Sequence, residues 1–360
     1  MKSWTAIALA PPLLVSLLLL GCAEPPPAPT PTPEETAAPA AAGWRAKVAI
    51  EAGYRIHGLA SGDLPAHAGR ELVAVGAGGV VVAWRQGETW RTETIDAGRG
   101  PLHGVLIADV DPSLEGVEVV VVGETEDGRG RAELLSWSPG GGWRVTRLAA
   151  PPEPLLAVGL FGEVPCVVGK RLSVLRRSER VWRAIEIAQL SSPGLSLSAS
   201  AKRVLVGCAD GGLLEFRSGV DGHRPREVDR RVAARSALAT SGRHVLAADG
   251  DGTLALLPAA NEKGLPARYS QQDRIEIFRS ARPLTGCVLA DLDPKSEGLE
   301  LMTCGEAGEL VLLSADGDGR YQPATLLREL SPLRCLIALD ARSVATGSEG
   351  GTVTVLTRFD

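Results

Sequence analysis

The stretch from Glu71 to Trp84 reads ELVAVGAGGVVVAW: an apolar run, a short turn containing glycine, and a second run that alternates. Alternation at period 2 on both sides of a Gly-rich turn specifies two antiparallel strands joined as a hairpin. The same unit recurs along the chain. It appears as EVVVVGETEDGRGRAELLSW from Glu118, PCVVGKRLSVLRR from Pro165, RVLVGCADGGLLEF from Arg203, HVLAADGDGTLALL from His244, ELMTCGEAGELVLL from Glu300 and SVATGSEGGTVTVL from Ser343. With Gly76, Gly123, Gly169, Cys208, Asp249, Gly305 and Gly347 as markers there are seven copies, roughly 40 to 55 residues apart, a spacing that belongs to repeat architectures.

Each hairpin has a strand on either side. Upstream lies an apolar segment such as LHGVLIADV from Leu102 or LTGCVLADL from Leu284. Downstream comes a Trp-Arg strand: TWRTETID from Thr89, GWRVTRLA from Gly142 and VWRAIEIA from Val181. Four strands per unit of about 45 residues is the size of a propeller blade. The fold expected is therefore all-β, a seven-bladed β-propeller of four-stranded blades over residues 44–360. The last unit ends at Thr352-Val353-Thr354-Val355-Leu356 with no fourth strand, and GWRAKVAIEAG from Gly43 matches GWRVTRLAAP from Gly142. An N-terminal strand is thus expected to complete the last blade and close the ring, leaving no central sheet edge unpaired. Trp44, Val48 and Ile50 are the apolar residues expected to hold that seam.

Ahead of the repeats the chain has the layout of an export signal. Lys2 is followed by an apolar run from Ala6 to Leu20, interrupted by Pro11 and Pro12 and too short for a bilayer span. It stops at Leu19-Leu20-Gly21-Cys22, which resembles the lipobox of bacterial lipoproteins. That resemblance implies a signal peptide over 1–21, acylation of Cys22, and a protein held to a membrane by those chains. The residues alone also permit an ordinary cleavable signal with a coincidental cysteine. Residues 22–43 are rich in Pro and Ala and carry no large apolar side chain, the composition of an extended spacer. Ala23 after the cysteine favours outer-membrane sorting by analogy with enterobacterial lipoproteins, with the domain facing the periplasm or the cell surface.

Two loops stand out. Asp109-Val110-Asp111-Pro112-Ser113-Leu114-Glu115-Gly116-Val117-Glu118 and Asp291-Leu292-Asp293-Pro294-Lys295-Ser296-Glu297-Gly298-Leu299-Glu300 share one pattern, and Gly62-Asp63-Leu64-Pro65 is a shorter relative. They resemble the loops of FG-GAP and VCBS-type propeller repeats, known from integrin-like and exported bacterial proteins. The resemblance implies Ca²⁺ held by Asp109, Asp111 and Glu118, and by Asp291, Asp293 and Glu300, since calcium takes six to eight hard oxygens. The loops depart from that pattern in Pro112 and Pro294 and in lacking its third Asp. The residues equally suit tight turns in which carboxylates accept backbone N–H bonds.

His57 and His103 occupy matching positions before the first strand of two units, with Thr285 and Arg334 at the equivalent place later and Arg235 nearby. These five are the candidate lining of the channel mouth, as ligand contacts or simply as polar residues at solvated strand starts. The hairpin tips carry Glu124, Glu126, Asp127, Asp210, Asp249, Asp251, Glu306 and Glu349, which suggests a negative rim or merely soluble tips. The longer stretch between Pro258 and Pro283 is a candidate recognition loop. Five cysteines follow Cys22 (Cys166, Cys208, Cys287, Cys304 and Cys335), all in apolar runs that read as buried thiols. Cys287 and Cys304, on expected neighbouring strands, are the best disulfide candidate.

A net charge of −5 without a basic patch excludes a nucleic-acid surface. There is no G-x-S-x-G, no H-E-x-x-H, no Cys/His cluster at zinc spacing and no phosphate loop, so the sequence names no active site. The function read from this is a non-catalytic binding or assembly scaffold at the cell envelope, its partner another envelope protein or a polysaccharide. The alternative is a propeller enzyme or ligand sensor, polysaccharide-acting or quinone-dependent, working at the channel mouth. The propeller lipoprotein associated with outer-membrane β-barrel insertion is similar in anchor and architecture but has eight blades and different repeats.

Overall fold

The computed structural model describes residues 43–95, 100–179, 181–217, 225–241, 244–257, 274–292, 299–316 and 320–359. The signal peptide, Cys22, the spacer, Asp293 and most of the stretch between Pro258 and Pro283 lie outside the described residues. The described residues form 28 strands and no helix.

Seven sheets of four antiparallel strands follow one another around a ring. Blade 1 is β2 (Ile56–Gly62), β3 (Glu71–Gly76), β4 (Gly79–Gln86) and β5 (Thr89–Ile95). Blade 2 is β6 (Leu102–Ala108), β7 (Glu118–Glu124), β8 (Gly130–Ser138) and β9 (Gly142–Ala149), and blade 3 is β10 (Ala157–Phe161), β11 (Val164–Val168), β12 (Arg171–Ser178) and β13 (Val181–Gln189). Blade 4 runs from β14 (Gly194–Ala199) through β15 (Arg203–Cys208) and β16 (Gly212–Arg217) to β17 (Arg226–Arg230). Blade 5 runs from β18 (Arg235–Ser241) through β19 (His244–Asp249) and β20 (Thr253–Leu257) to β21 (Ile275–Arg279). Blade 6 comprises β22 (Leu284–Ala290), β23 (Glu300–Gly305), β24 (Glu309–Ala315) and β25 (Tyr321–Arg328). Blade 7 comprises β26 (Leu333–Asp340), β27 (Ser343–Ser348), β28 (Thr352–Arg358) and, on its outside, β1 (Trp44–Glu51), the N-terminal strand.

The second strand of a blade is covered by a neighbouring blade on both faces, so it is apolar throughout rather than alternating. β3 and β23 are buried at every position. The repeat glycines end these strands because no side chain fits there. A Cβ on Gly76, Gly123, Gly169 or Gly305 would lie 1.9–2.4 Å from the carbonyl oxygen of Arg55, Pro101, Pro154 or Pro283, in the segment entering the inner strand. That carbonyl accepts the next backbone N–H: Arg55 O from Ala77 N, Pro101 O from Glu124 N, and Pro283 O from Glu306 N.

The clefts between blades are filled from both sides. Trp90, Trp143, Trp182 and Trp44 on the outer strands each pack into the cleft with the preceding blade, and Tyr321 does the same in blade 6. This accounts for the recurring Trp-Arg strands.

β1 pairs with β28 from Trp44↔Arg358 to Glu51↔Thr352, with a bulge between Val48 and Ile50. An inserted residue exchanges the faces of a strand. Trp44 and Ala46 therefore pack toward blade 6, while Ala49 and Ile50 pack toward blade 1. The seam rests on Trp44 and Ile50. Val48 is only half-buried and contributes less than its place in the sequence suggests.

The expected Cys287–Cys304 disulfide does not form, and all five described cysteines are free thiols. Their strands are neighbours, but Cys287 lies opposite Thr303 and Cys304 opposite Gly286. One residue of offset sends the two thiols to opposite faces of blade 6, Cys287 toward blade 5 and Cys304 toward blade 7. Burial pushes the Cys304 thiol up to about 12 and that of Cys208 to about 11, so both stay protonated and inert near neutrality.

Candidate functional site

Six inner strands carry a β-bulge at the same place, one residue after the strand begins. The inserted residues are His57, His103, Leu195, Ser236, Thr285 and Arg334. A bulge frees one side chain from the ladder and re-aims it. The matching positions seen in the sequence are thus a structural ring.

Several ring members reach the next blade. His57 Nδ1 donates to the carbonyl of Leu102 at 2.9 Å, the Ser236 hydroxyl donates to Leu284 O, and Thr285 Oγ1 donates to Leu333 O at 2.6 Å. Each acceptor is the first residue of the following inner strand. These side chains tie consecutive blades together around the centre. Thr285, expected at the mouth as a ligand contact, is committed to this role.

Arg334 and the two histidines form one sector. His57 and His103 stack with ring centroids 5.2 Å apart and an interplanar angle of 12°. His103 Nε2 lies 3.6 Å from Glu124 Oε1. Arg334 donates to Glu349 and, at 3.1 Å, to Glu306, and Arg55 pairs with Glu349 as well. Burial depresses both imidazoles below the usual histidine range. For His57 the nearby His103, Arg55 and Arg334 add to this, against the Leu102 bond. For His103 the Glu124 carboxylate opposes it. Both rings are neutral at pH 7, and with Nδ1–H of His57 on Leu102 O, its Nε2 is an acceptor.

The unfolded chain therefore binds more protons than the folded one as pH falls through the ordinary histidine pKa. Stability contributed by the neutral pair is complete above about pH 6.5 and is lost below it. Thermal melts from pH 7.5 to 5 should show a falling Tm. The His57→Gln/His103→Gln double variant should flatten that slope, and an unchanged slope would remove the pair from the account.

Arg235 does not belong to the mouth. It is wholly buried, donating to Asp249 at 3.1 Å and pairing with Asp229, while Arg231 and Arg274 contact the same two carboxylates. Four of the eight acids of the rim are paired with arginine. Asp210 pairs with Arg230 at 3.0 Å, Asp249 with two arginines, and Glu306 and Glu349 with Arg334.

In the Asp-rich loops the carboxylates face backbone donors. Glu118 Oε2 accepts from Val110 N and Asp111 N at 2.9 and 3.3 Å, Glu300 Oε2 from Leu292 N at 2.7 Å, and Glu71 from Leu64 N and His67 N at 2.8 and 3.1 Å. Asp111 Oδ1 accepts from Ser113 N at 3.1 Å and Ser113 Oγ at 2.7 Å, and pairs with the Arg177 guanidinium. A cation site would not be built with an arginine on its ligand oxygen, and among the described residues no three metal-ligating side chains converge. The donor set of the first loop does not fit Ca²⁺. Asp111→Asn is accordingly expected to leave the response of Tm to added calcium or chelator unchanged in a calorimetric scan.

The apolar residue inside each loop does the packing. Leu64, Val110 and Leu292 are 3, 8 and 0% exposed, and each plugs the cleft between its own blade and the next.

Comparison with known proteins places this architecture. The WD40 propeller domain of Doa1 matches with a TM-score of 0.60 at 13% identity, over 88% of this chain and 98% of that one. YCF48, in a structure with a D1 peptide, matches at 0.62 and 14%, over 88% and 97%. The computationally designed Ika8 protein matches at 0.55 and 15%, over 86% and 98%. Identities this low speak for the fold alone. No family model matches the sequence, and no curated protein matches it. The chain carries a seven-bladed β-propeller, a fold consistent with a binding or scaffold role.

Proposed function

We propose that the protein is an envelope lipoprotein whose propeller is a non-catalytic binding or assembly scaffold, displayed from the membrane by the acylated Cys22 and the 22–43 spacer. One observation carries the reading. Four of the mouth side chains are engaged in holding the disc: His57, Ser236 and Thr285 bridge blades, and Arg334 is locked between two carboxylates. A general acid needs a positioned proton and a general base a free, positioned lone pair, whereas a rigid disc needs these bonds. Its outer surfaces then remain for recognition, and YCF48, similar in fold, has a structure bound to a D1 peptide. The expected residence is the outer membrane, facing the periplasm or the surface.

Proximity labelling from the full-length protein in its native cell, beside a Cys22→Ser control, tests the reading. A defined set of envelope neighbours that disappears in the control is the expected result. Labelling at background level in both ends it.

A further inference from the structure

Most clefts between blades receive a loop plug from one blade, an outer-strand aromatic from the next, or both. The cleft between blades 3 and 4 has neither among the described residues. Where blades 1, 2 and 6 carry a plug loop, blade 3 turns from Phe161 to Val164 through two residues, Gly162 and Glu163. Where Trp143 or Trp182 would enter, β17 offers Arg-Glu-Val-Asp-Arg. This cleft holds a cavity of about 340 Å³ walled by Phe161, Val164, Val174, Ile185 and Ile187, with Arg176 on its edge. Ile185 is 48% exposed there.

The charge around this cavity has a counterpart one cleft away. Between blades 2 and 3 the plug Asp109-Val110-Asp111 inserts Val110, and its Asp111 pairs with Arg177. Arg176, the next residue, belongs to the side of β12 that faces blade 4 and lies directly opposite Arg183 on β13. Like charges directly across a ladder repel. Neither arginine has a carboxylate partner among the described residues, while nearby Glu186 is held by Arg171 at 2.9 Å. The second cleft thus has apolar walls and two cations, both on blade 3, and no plug among the described residues.

We propose that a partner protein supplies it: an extended segment with an aliphatic residue flanked by carboxylates, the aliphatic side chain entering the cleft and the acids pairing with Arg176 and Arg183. This rests on the scaffold reading above and gives the partner's chemistry. An intrachain segment of the same composition packs in the neighbouring cleft, where its acid pairs with an arginine.

The test uses the full chain and a fluorescent synthetic peptide, Ile-Ala-Asp-Val-Asp-Pro-Ser-Leu, copied from residues 107–114, with a version carrying Lys for both Asp. Anisotropy should report binding of the first and not the second. Arg176→Glu and Ile185→Asp should each weaken it about tenfold or more, the reach of one well-placed charge or anchor. Ala201→Trp, which fills the cleft without removing a charge, should block it. No binding, equal binding of the two peptides, or indifference to Ala201→Trp overturns the proposal. So does a dimer in sedimentation that Arg176→Glu dissolves, since the cleft then belongs to a second copy. The labelling experiment does not involve the cleft, so a failure here and a failure of the scaffold reading are told apart.

Discussion

Ile50→Asp is expected to open the ring, and Trp44→Asp to deepen the effect. Ile50 is 1% exposed and packs with Ile56, Leu59 and Val353 across the junction of blades 7 and 1. A carboxylate there has no partner, and burying an unpaired charge in place of a well-packed side chain costs roughly 3–5 kcal/mol or forces the strand out. For about 300 ordered residues that lowers Tm by roughly 5–8 °C if the disc stays two-state. Detachment of β1 has a second signature, because β28 becomes an open edge and blade 7 loses its contact with blade 1. Limited proteolysis should then cut β1 and β28 while the central blades resist. Arg45→Asp, on the exposed side of the same strand, is the control and should stay within about 0.5 kcal/mol of the parent. A parent-like melt for both Ile50→Asp and the double variant would mean that β1 does not close the ring.

The blade count and the closing strand were legible because each depends on a pattern repeated along the chain. Seven hairpins in apolar strands and a Trp-Arg strand displaced to the N-terminus require no knowledge of side-chain partners. What could not be read is whatever turns on one residue of register. Arg235 was grouped with His57 and Arg334 because all three stand near an inner-strand start. It is the first residue of its strand, however, and so aligns with Ile56, Leu102, Leu284 and Leu333, every one of them buried. The mouth position is the bulge one residue later, held by Ser236. The Cys287–Cys304 pairing failed on the same offset. In the first Asp-rich loop Glu118 and Asp111 accept backbone N–H bonds, and Asp111 also pairs with Arg177. The acids suggest chelation, whereas the feature shared by all three loops is an aliphatic residue directly after an Asp, followed by a Glu at the start of the next strand. That combination describes a plug with its backbone capped by Glu71, Glu118 or Glu300.

Asp249→Ala should be among the most destabilising single changes, and the double variant Arg235→Met/Asp249→Leu should recover much of the loss. Arg235 and Asp249 are both 0% exposed. The guanidinium also donates to Asp229, and Asp249 accepts from Arg231 at 3.2 Å. Removing Asp249 alone leaves Arg235 and Arg231 crowded with Arg274 around the single carboxylate of Asp229. Breaking one side of such a buried pair typically costs about 3–5 kcal/mol. Replacing both partners by apolar side chains removes the uncompensated charge, and such exchanges are often close to neutral. Burial lowers the Arg235 guanidinium and raises the Asp249 carboxyl despite their mutual attraction, which is the direction expected of a pair whose desolvation outweighs its Coulombic gain. Asp229 keeps Arg274 in the double variant, so no second carboxylate is stranded. Denaturant melts of the two single variants and the double measure the coupling directly. A double variant as unstable as Asp249→Ala would instead mean that the network contributes net stability to blades 4 and 5, whose own shared core is the smallest of the seven clusters.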